Sequence, residues 1–280
     1  MNAAFSAQTR NHYAALAHWI AARRCEQGLR VLGINGGQGS GKSALAGFLV
    51  GELQSRHGLN AIAVSLDDFY LARADRAALA ARVHPLLNTR GVPGTHDVHR
   101  GIASLKALRA GESCALPRFS KASDDRLPAS EDRIVSSQPD LILFEGWCVG
   151  TPPQAAADLQ VPINALERSE DPSAHWRRYV NDQLAGPYAE WFSMLDALVY
   201  LAVPGWPQVR EWRAQQERDT AAQNGGTSTL FSAAELDRFI QHYQRLTLHA
   251  LAVLPPVADV VLRLDAAHNV IGLSDRGRQI

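Results

Sequence analysis

The stretch VLGINGGQGSGKS, residues 31–43, decides the fold of this chain. It begins with a short apolar run, Val31 to Ile34, which predicts a buried strand, and a glycine-rich turn follows. From Leu45 onward, apolar residues recur at helical spacing. The turn matches the pattern GxxxxGK[ST] and lies between a strand and a helix, as that pattern requires. These residues therefore predict a strand, a phosphate-binding loop and a helix.

In such a loop, glycines let successive backbone N–H groups turn inward around phosphate oxygens, and the helix N-terminus favours an anion. We expect Lys42 to reach the β- and γ-phosphates of ATP and Ser43 to be a ligand of Mg²⁺. A glycine-rich turn with an exposed lysine is the alternative interpretation. The predicted nucleotide-binding residues are Gly36, Gly37, Gln38, Gly39, Ser40, Gly41, Lys42, Ser43 and Ala44.

Further apolar runs alternate with helical patterns along the rest of the chain. Strands are predicted over residues 61–64, 141–144, 197–203 and 260–264, and helical stretches include 102–108, behind an Asp97 N-cap, and 239–254. Nearly continuous apolar strands indicate a sheet covered on both faces. We therefore predict an α/β fold of the P-loop NTPase type, a doubly wound, mostly parallel sheet with helices on both faces.

The predicted organisation is a single domain spanning residues 1–280. Residues 1–28 form an N-terminal helical extension, because Tyr13, Leu16, Ala17 and Ile20 recur at helical spacing. Residues 204–230 are predicted to form a lid and a flexible loop, the loop being rich in Gly, Thr and Ser over 221–229.

Composition excludes several classes of protein. The 280 residues are 46% hydrophobic and 20% charged, which is typical of a globular protein and excludes a disordered or coiled-coil chain. Lys plus Arg and Asp plus Glu are both 28, so we expect no nucleic-acid or membrane partner. The three cysteines lack the pairing of a disulfide framework or a zinc site, and no apolar run is long enough to span a membrane. A cytoplasmic protein is expected.

The remaining motifs favour a small-molecule kinase among nucleotide-binding proteins. The sequence has neither the DxxG and NKxD motifs of GTPases nor the LSGGQ signature of transporters. Asp67 and Asp68 follow a predicted strand at the sheet edge where ligands bind, and Asp67 is predicted to accept the proton of the acceptor hydroxyl. Glu145, at the end of another strand, is predicted to hold Mg²⁺, directly or through water. Asp67 and Asp68 could instead cap the next turn, and Glu145 could be a solvated or hydrogen-bonded carboxylate; Asp68 is the alternative base.

Positive charge is concentrated over residues 73–126, where ten Lys or Arg stand against five Asp or Glu, a net charge of +5 in a neutral chain. Such a concentration favours a small anionic acceptor, although part of it would suit a solvated helix face. The basic helix from Trp206 to Arg218 is predicted to be a lid over the phosphates, with an exposed, ion-paired helix as the alternative.

Over Val31 to Asp265 the chain resembles the D-glycerate 3-kinases of plant and fungal type, within the phosphoribulokinase, uridine kinase and pantothenate kinase superfamily. The segments that carry the resemblance are the phosphate-binding loop, SLDDFY (65–70), GVPGTHD (91–97), PRFSKA (117–122), DDR (124–126), FEGW (144–147) and WRAQQE (212–217). The uridine kinase pattern SxDxFY implies that Asp67 is the base. The chain departs from the family at Ser120, where the pattern PxFDK has an acidic residue.

The resemblance also implies that Asp97, Lys121 and Arg126 face the acceptor and that Arg213 is a catalytic residue of the lid. The predicted reaction is transfer of the γ-phosphoryl group of ATP, with Mg²⁺, to a hydroxyl of D-glycerate, giving 3-phosphoglycerate. Two alternatives remain at this point: a pantothenate or nucleoside kinase of the same superfamily, or a regulatory module that binds ATP without an acceptor.

Overall fold

A seven-stranded sheet lies at the centre of the computed structural model, which describes residues 5–223 and 232–279. The strands are β1 (Val31–Gly36), β2 (Ala61–Ser65), β3 (Cys114–Leu116), β4 (Phe119–Ser120), β5 (Asp125–Arg126), β6 (Arg133–Val135), β7 (Leu141–Gly146), β8 (Ala197–Ala202), β9 (Val260–Leu264), β10 (Val270–Asp275) and β11 (Arg278–Gln279). The helices are α1 (Ala7–Gln27), α2 (Lys42–His57), α3 (Arg73–Arg82), α4 (Val98–Ala110), α5 (Ala165–Glu170), α6 (His175–Ala185), α7 (Pro187–Phe192), α8 (Trp206–Gln223) and α9 (Ala233–Val253).

The strand order in the main sheet is β11-β10-β9-β8-β1-β7-β2. Strands β2, β7, β1, β8 and β9 pair in parallel, and β10 and β11 complete the sheet in antiparallel pairing. Two small antiparallel pairs, β3 with β6 and β4 with β5, lie outside it. The predicted α/β class and mostly parallel, doubly wound sheet are confirmed.

The two faces of the sheet are covered by separate hydrophobic cores, as the continuous apolar strands predict. In β7, Ile142 and Phe144 belong to one core, together with residues of α4, α6, α7 and α9. Leu141 and Leu143 belong to the other core, together with residues of α1 and α2. Because successive strand residues point to opposite faces, one apolar strand supplies both cores.

Helix α1 packs on this domain through Tyr13, Leu16, Ala17 and Ile20, which are buried against α2 and the sheet. It begins behind Ser6, whose hydroxyl accepts a hydrogen bond from the backbone N–H of Thr9. The division into one domain with a lid stays a prediction, and residues 224–230 of the predicted lid and flexible loop lie outside the described residues. In the described part of the chain, no helix has the length and apolar character needed to cross a membrane.

The register of the parallel strands brings the functional segments together. Asn35 of β1 lies beside Gly146 of β7, and Ser65 of β2 lies beside Glu145. The chain leaves β1 into the glycine-rich loop and leaves β2 into a short 3₁₀ turn, Leu66–Phe69, that contains Asp67. The loop, Asp67 and Glu145 therefore meet at the carboxyl edge of the sheet, where ligands of such folds bind.

Candidate active site

A cavity of about 600 Å³ lies at this edge of the sheet. Its wall includes residues of the glycine-rich loop, of the turns after β2 and β7, of the β4–β5 hairpin, and of helices α8 and α9. The charged side chains that line it are Lys42, Asp67, Arg90, Lys121, Glu145 and Arg213. The structure thus brings residues distant in sequence around one space.

The glycine-rich loop has the backbone that its sequence predicts. Gly39 and Gly41 have φ angles of +75° and +87°, a left-handed conformation that side chains other than glycine rarely adopt. A Cβ atom on Gly39 would also lie 2.7 Å from the Cβ of Trp212. Helix α2 begins at Lys42, directly after Gly41, so its unpaired first-turn N–H groups and its dipole are available to an anion in the cavity.

Lys42 lies in this loop with its Nζ 3.1 Å from the carbonyl oxygen of Gly37, to which it donates a hydrogen bond. Desolvation lowers the pKa of the ammonium, while the charges of Glu145 and Asp67 act in the opposite direction. The side chain is positioned to meet a phosphate group beside the loop.

Glu145 forms a cluster of oxygen atoms with two serine hydroxyls. Ser43 Oγ donates to Glu145 Oε1 at 2.8 Å, and Ser65 Oγ donates to the same oxygen at 3.0 Å. Carboxylate and hydroxyl oxygens are the donors that Mg²⁺ prefers, and Mg²⁺ in kinases takes its other ligands from phosphates and water. The predicted pair Ser43 and Glu145 therefore fits the ion, and Ser65 is a member of the cluster that sequence reasoning missed.

Asp67 is held by two side chains within the cavity. Lys121 Nζ lies 2.7 Å from Asp67 Oδ2, and the Tyr70 hydroxyl donates to Asp67 Oδ1 at 3.1 Å. Burial raises the pKa of Asp67, but the charge and hydrogen bond of Lys121 outweigh burial and hold the pKa below its usual range. Asp67 is therefore ionised at neutral pH.

Asp68 points elsewhere, although it is the next residue. Its Oδ1 accepts a hydrogen bond from the backbone N–H of Phe119 at 3.3 Å, and burial raises its pKa. Among the two neighbouring carboxylates, Asp67 lines the cavity. The geometry favours Asp67 over Asp68 as the residue that meets an acceptor hydroxyl.

Buried aromatic residues fix the position of Tyr70. The ring of His96 stacks on that of Tyr70 with centroids 4.4 Å apart, and His96 Nδ1 shares a hydrogen bond of 2.5 Å with the Tyr188 hydroxyl. Burial lowers the pKa of His96 to about 3, so the imidazole is neutral. The stacked His96 ring therefore supports Tyr70 as a buried, uncharged group.

Arg126 and Asp97 bind each other, with Arg126 Nη2 lying 3.3 Å from Asp97 Oδ2. Arg126 also donates to the carbonyl oxygen of Tyr70 at 3.1 Å, and Asp97 caps α4 by accepting from the N–H of Arg100. Neither Arg126 nor Asp97 is among the described residues that line the cavity. The prediction that both face the acceptor stays a prediction, whereas Lys121, assigned by the same resemblance, does line the cavity.

Helix α8 contributes Arg213 to the cavity wall, and the Arg213 guanidinium lies over the ring of Phe239 in α9, 5.4 Å from its centroid. The adjacent Trp212 stacks on His268 with ring centroids 4.0 Å apart, and His268 Nε2 lies 2.8 Å from the carbonyl oxygen of Gly39. The helix is thus connected to the glycine-rich loop and to the β9–β10 turn.

Sequence reasoning missed several members of the wall, including Arg90, Trp147, Tyr243 and His268. Tyr70 and Trp147 lie in segments that carry the family resemblance, SLDDFY and FEGW, and that signal could have found them. Tyr243 and His268 lie in an amphipathic helix and a polar turn with no motif.

The chain is 34% identical over 223 residues to the uncharacterized kinase mug58 of Schizosaccharomyces pombe, a match that covers 76% of this chain and 78% of that protein. No protein-family model matches the chain.

Two solved structures share the fold over nearly the whole chain. The D-glycerate 3-kinase from Cryptococcus neoformans var. grubii superposes with a TM-score of 0.77 at 24% identity, covering 96% of this chain and 99% of that one. The YGR205w protein superposes with a TM-score of 0.73 at 21% identity, covering 98% and 100%.

Proposed function

We propose the acceptor and mechanism of this protein from the premise that the chain belongs to the family of P-loop kinases that contains the Schizosaccharomyces pombe kinase mug58. The chain is accordingly a kinase that uses ATP, and we propose that it phosphorylates a small molecule. The proposal is that the acceptor is D-glycerate, that the product is 3-phosphoglycerate, and that Mg²⁺ is required.

The observation that carries the proposal is the Asp67–Lys121 ion pair, 2.7 Å long, in the same cavity as the phosphate-binding loop. A kinase needs a carboxylate to orient the acceptor hydroxyl beside the γ-phosphate, and Asp67 supplies it. A cationic ammonium beside that carboxylate suits an acceptor that is itself an anion. The shared fold with a D-glycerate 3-kinase supports the choice of glycerate among such anions.

In the proposed reaction, Asp67 accepts a hydrogen bond from the acceptor hydroxyl. As the hydroxyl oxygen forms its bond to the γ-phosphorus, the bond from that phosphorus to the β,γ-bridging oxygen breaks and ADP leaves. The hydroxyl proton passes to the Asp67 carboxylate. Because the transition state of phosphoryl transfer is loose, the proton leaves late, so a carboxylate with a low pKa can serve mainly by orienting the hydroxyl.

Lys42 and Arg213 stabilise the negative charge of the transferred group from two sides of the proposed site. Lys42 extends from the phosphate-binding loop, and Arg213 from α8, which we propose acts as a lid that excludes water. Ser43 and Glu145 would hold Mg²⁺, which when bound neutralises phosphate charge. The backbone N–H groups of the loop would bind the phosphate oxygens.

On the acceptor side, we propose that Lys121 contacts the substrate and that Arg126 and Asp97 support this part of the wall. The Arg126 hydrogen bond to the Tyr70 carbonyl oxygen, 3.1 Å long, ties the pair to the residue that holds Asp67. Removal of either partner would therefore disturb the position of Asp67 as well as any direct contact with the acceptor.

The experiment that tests the proposed function is a screen of ADP release with Mg-ATP and a panel of acceptors: D-glycerate, pantothenate, uridine, ribulose 5-phosphate and glycerol. D-Glycerate should give the highest kcat/KM, with 3-phosphoglycerate identified as the product. Preference for pantothenate or uridine would refute glycerate while leaving the kinase assignment intact. ATP turnover that no acceptor stimulates would favour an ATP-binding regulatory module.

A further inference from the structure

Arg90 is a cation of the cavity wall that takes no part in the proposed transfer of the phosphoryl group. It follows a 3₁₀ turn, Pro85–Asn88, and its side chain is 14% exposed. Its backbone is fixed in place, because the Tyr243 hydroxyl donates to the Arg90 carbonyl oxygen at 3.0 Å. A nearly buried guanidinium that reaches a ligand cavity needs a negative partner.

Asp124 supplies that partner only in part. Arg90 Nη1 is bonded to Asp124 Oδ1, but Asp124 Oδ2 is bonded to Arg76 Nη2 at 2.6 Å. Both guanidinium groups also lie over the ring of Phe119, 5.5 Å and 5.6 Å from its centroid. Two cations therefore share the carboxylate of Asp124, and of these two Arg90 lines the cavity.

The same charge lies close to the proposed base. Burial and the charge of Asp67 raise the pKa of the Tyr70 hydroxyl, and the charge of Arg90 acts on the same hydroxyl in the opposite sense. Tyr70 is the residue that donates a hydrogen bond to Asp67. Arg90, Tyr70 and Asp67 therefore line one cavity, and the charges of Arg90 and Asp67 both act on the Tyr70 hydroxyl.

We propose that Arg90 binds the carboxylate of the acceptor and makes the kinase select a small hydroxy acid over its uncharged analogues. A guanidinium has five N–H donors, so Arg90 can hold Asp124 through Nη1 and still donate to a second carboxylate. The inference rests on the proposed function, and it assigns the anion contact to Arg90, which lines the cavity, rather than to Arg126, which is not among the described residues of the cavity wall.

The test measures kcat/KM of wild type and Arg90→Gln with D-glycerate and with D-glyceramide, its uncharged analogue. Arg90→Gln should raise the KM for D-glycerate about tenfold or more, the effect of losing a hydrogen bond to an ionised group. The KM for ATP should not change. Activity with D-glyceramide should not fall, because the lost contact is with the carboxylate; a general distortion of the site would lower activity with both acceptors.

Arg90→Lys is the second variant, because an ammonium keeps the positive charge beside Asp124 but cannot form the bidentate hydrogen bonds of a guanidinium. Its KM for D-glycerate should lie between those of wild type and Arg90→Gln. Arg100→Gln is the matched control, since Arg100 also pairs with a single carboxylate, Asp132, and lies outside the cavity wall. Its KM values should equal those of wild type.

The outcomes separate this inference from the proposed function. If the wild type phosphorylates D-glycerate and both Arg90 variants keep the wild-type KM for D-glycerate, the inference is overturned and the proposed function stands. The same conclusion follows if the Arg90 variants raise only the KM for ATP. Preference of the wild type for another carboxylate acceptor would refute glycerate, and a raised KM for that acceptor in Arg90→Gln would still support the inference. Preference for an uncharged acceptor would overturn both.

Discussion

Replacing Lys121 with methionine should raise the pKa of Asp67 and make the kinase lose activity at a higher pH as the medium is acidified. In the wild type, burial raises the pKa of Asp67, and the adjacent ammonium more than offsets that effect. Methionine has a similar length and no charge, so the variant leaves burial unopposed by Lys121 while the Tyr70 hydrogen bond remains. A protonated Asp67 cannot accept the hydroxyl proton, so activity falls as the pH drops through its pKa.

The size of the shift follows from the contact. A hydrogen bond to an ionised group contributes about 1.5 to 3 kcal/mol, and one pKa unit corresponds to about 1.4 kcal/mol, so the range is about one to two units. The Lys121 side chain is 60% exposed at the 2.7 Å contact, and water therefore screens the pair. The lower end of that range therefore applies, and we expect the pKa of Asp67 to rise by about one unit in Lys121→Met.

The assay is kcat as a function of pH, measured by ADP release with saturating Mg-ATP and acceptor, so that weaker acceptor binding does not contribute. The control is Lys106→Met, since Lys106 is an exposed lysine on α4 that lies 3.8 Å from Glu190 and outside the cavity wall. Its profile should match that of wild type. An acid limb at the same pH in Lys121→Met and wild type would refute the argument that Lys121 sets the pKa of Asp67.

Three further predictions concern the loop, the base and the buried histidines. Lys42→Ala should abolish phosphoryl transfer with little change in melting temperature, because the ammonium acts on phosphate charge; near-normal turnover would contradict the role of the loop. Asp67→Asn should lower kcat by roughly 10² to 10⁴ while calorimetry still detects ATP binding. If Asp68→Asn caused that loss and Asp67→Asn did not, the base would be Asp68. Burial lowers the pKa of His96 to about 3 and of His242 to about 4, so the unfolded chain takes up protons that the folded chain does not as the pH falls below about 6.5. Between about pH 7.5 and pH 5.5, each histidine should lower the free energy of unfolding, measured by urea denaturation, by roughly 1.4 kcal/mol. His242→Gln should remove about half of the combined decrease. The same pH dependence in the variant and the wild type would contradict this.

Local patterns in the sequence were enough to predict the centre of the fold and part of the candidate site. The strand, glycine-rich loop and helix over residues 31–49 are specified by neighbours in sequence, because φ/ψ preferences and apolar periodicity act over a few residues. The parallel sheet then places the strand ends together, which is why Asp67 and Glu145 were predicted to share an edge with Lys42.

Only the tertiary structure decided which side chains meet across that edge. Lys121 binds Asp67, Arg126 binds Asp97 rather than entering the cavity wall, and Arg90 reaches the cavity through a non-periodic segment. These two arginines and one lysine of the basic segment look alike in sequence, since charge and composition carry no direction. Their partners depend on how the short β4–β5 hairpin and the turn before Arg90 pack. That packing joins residues far apart in the chain, and each contact contributes only a small energy, so a local sequence pattern cannot predict it.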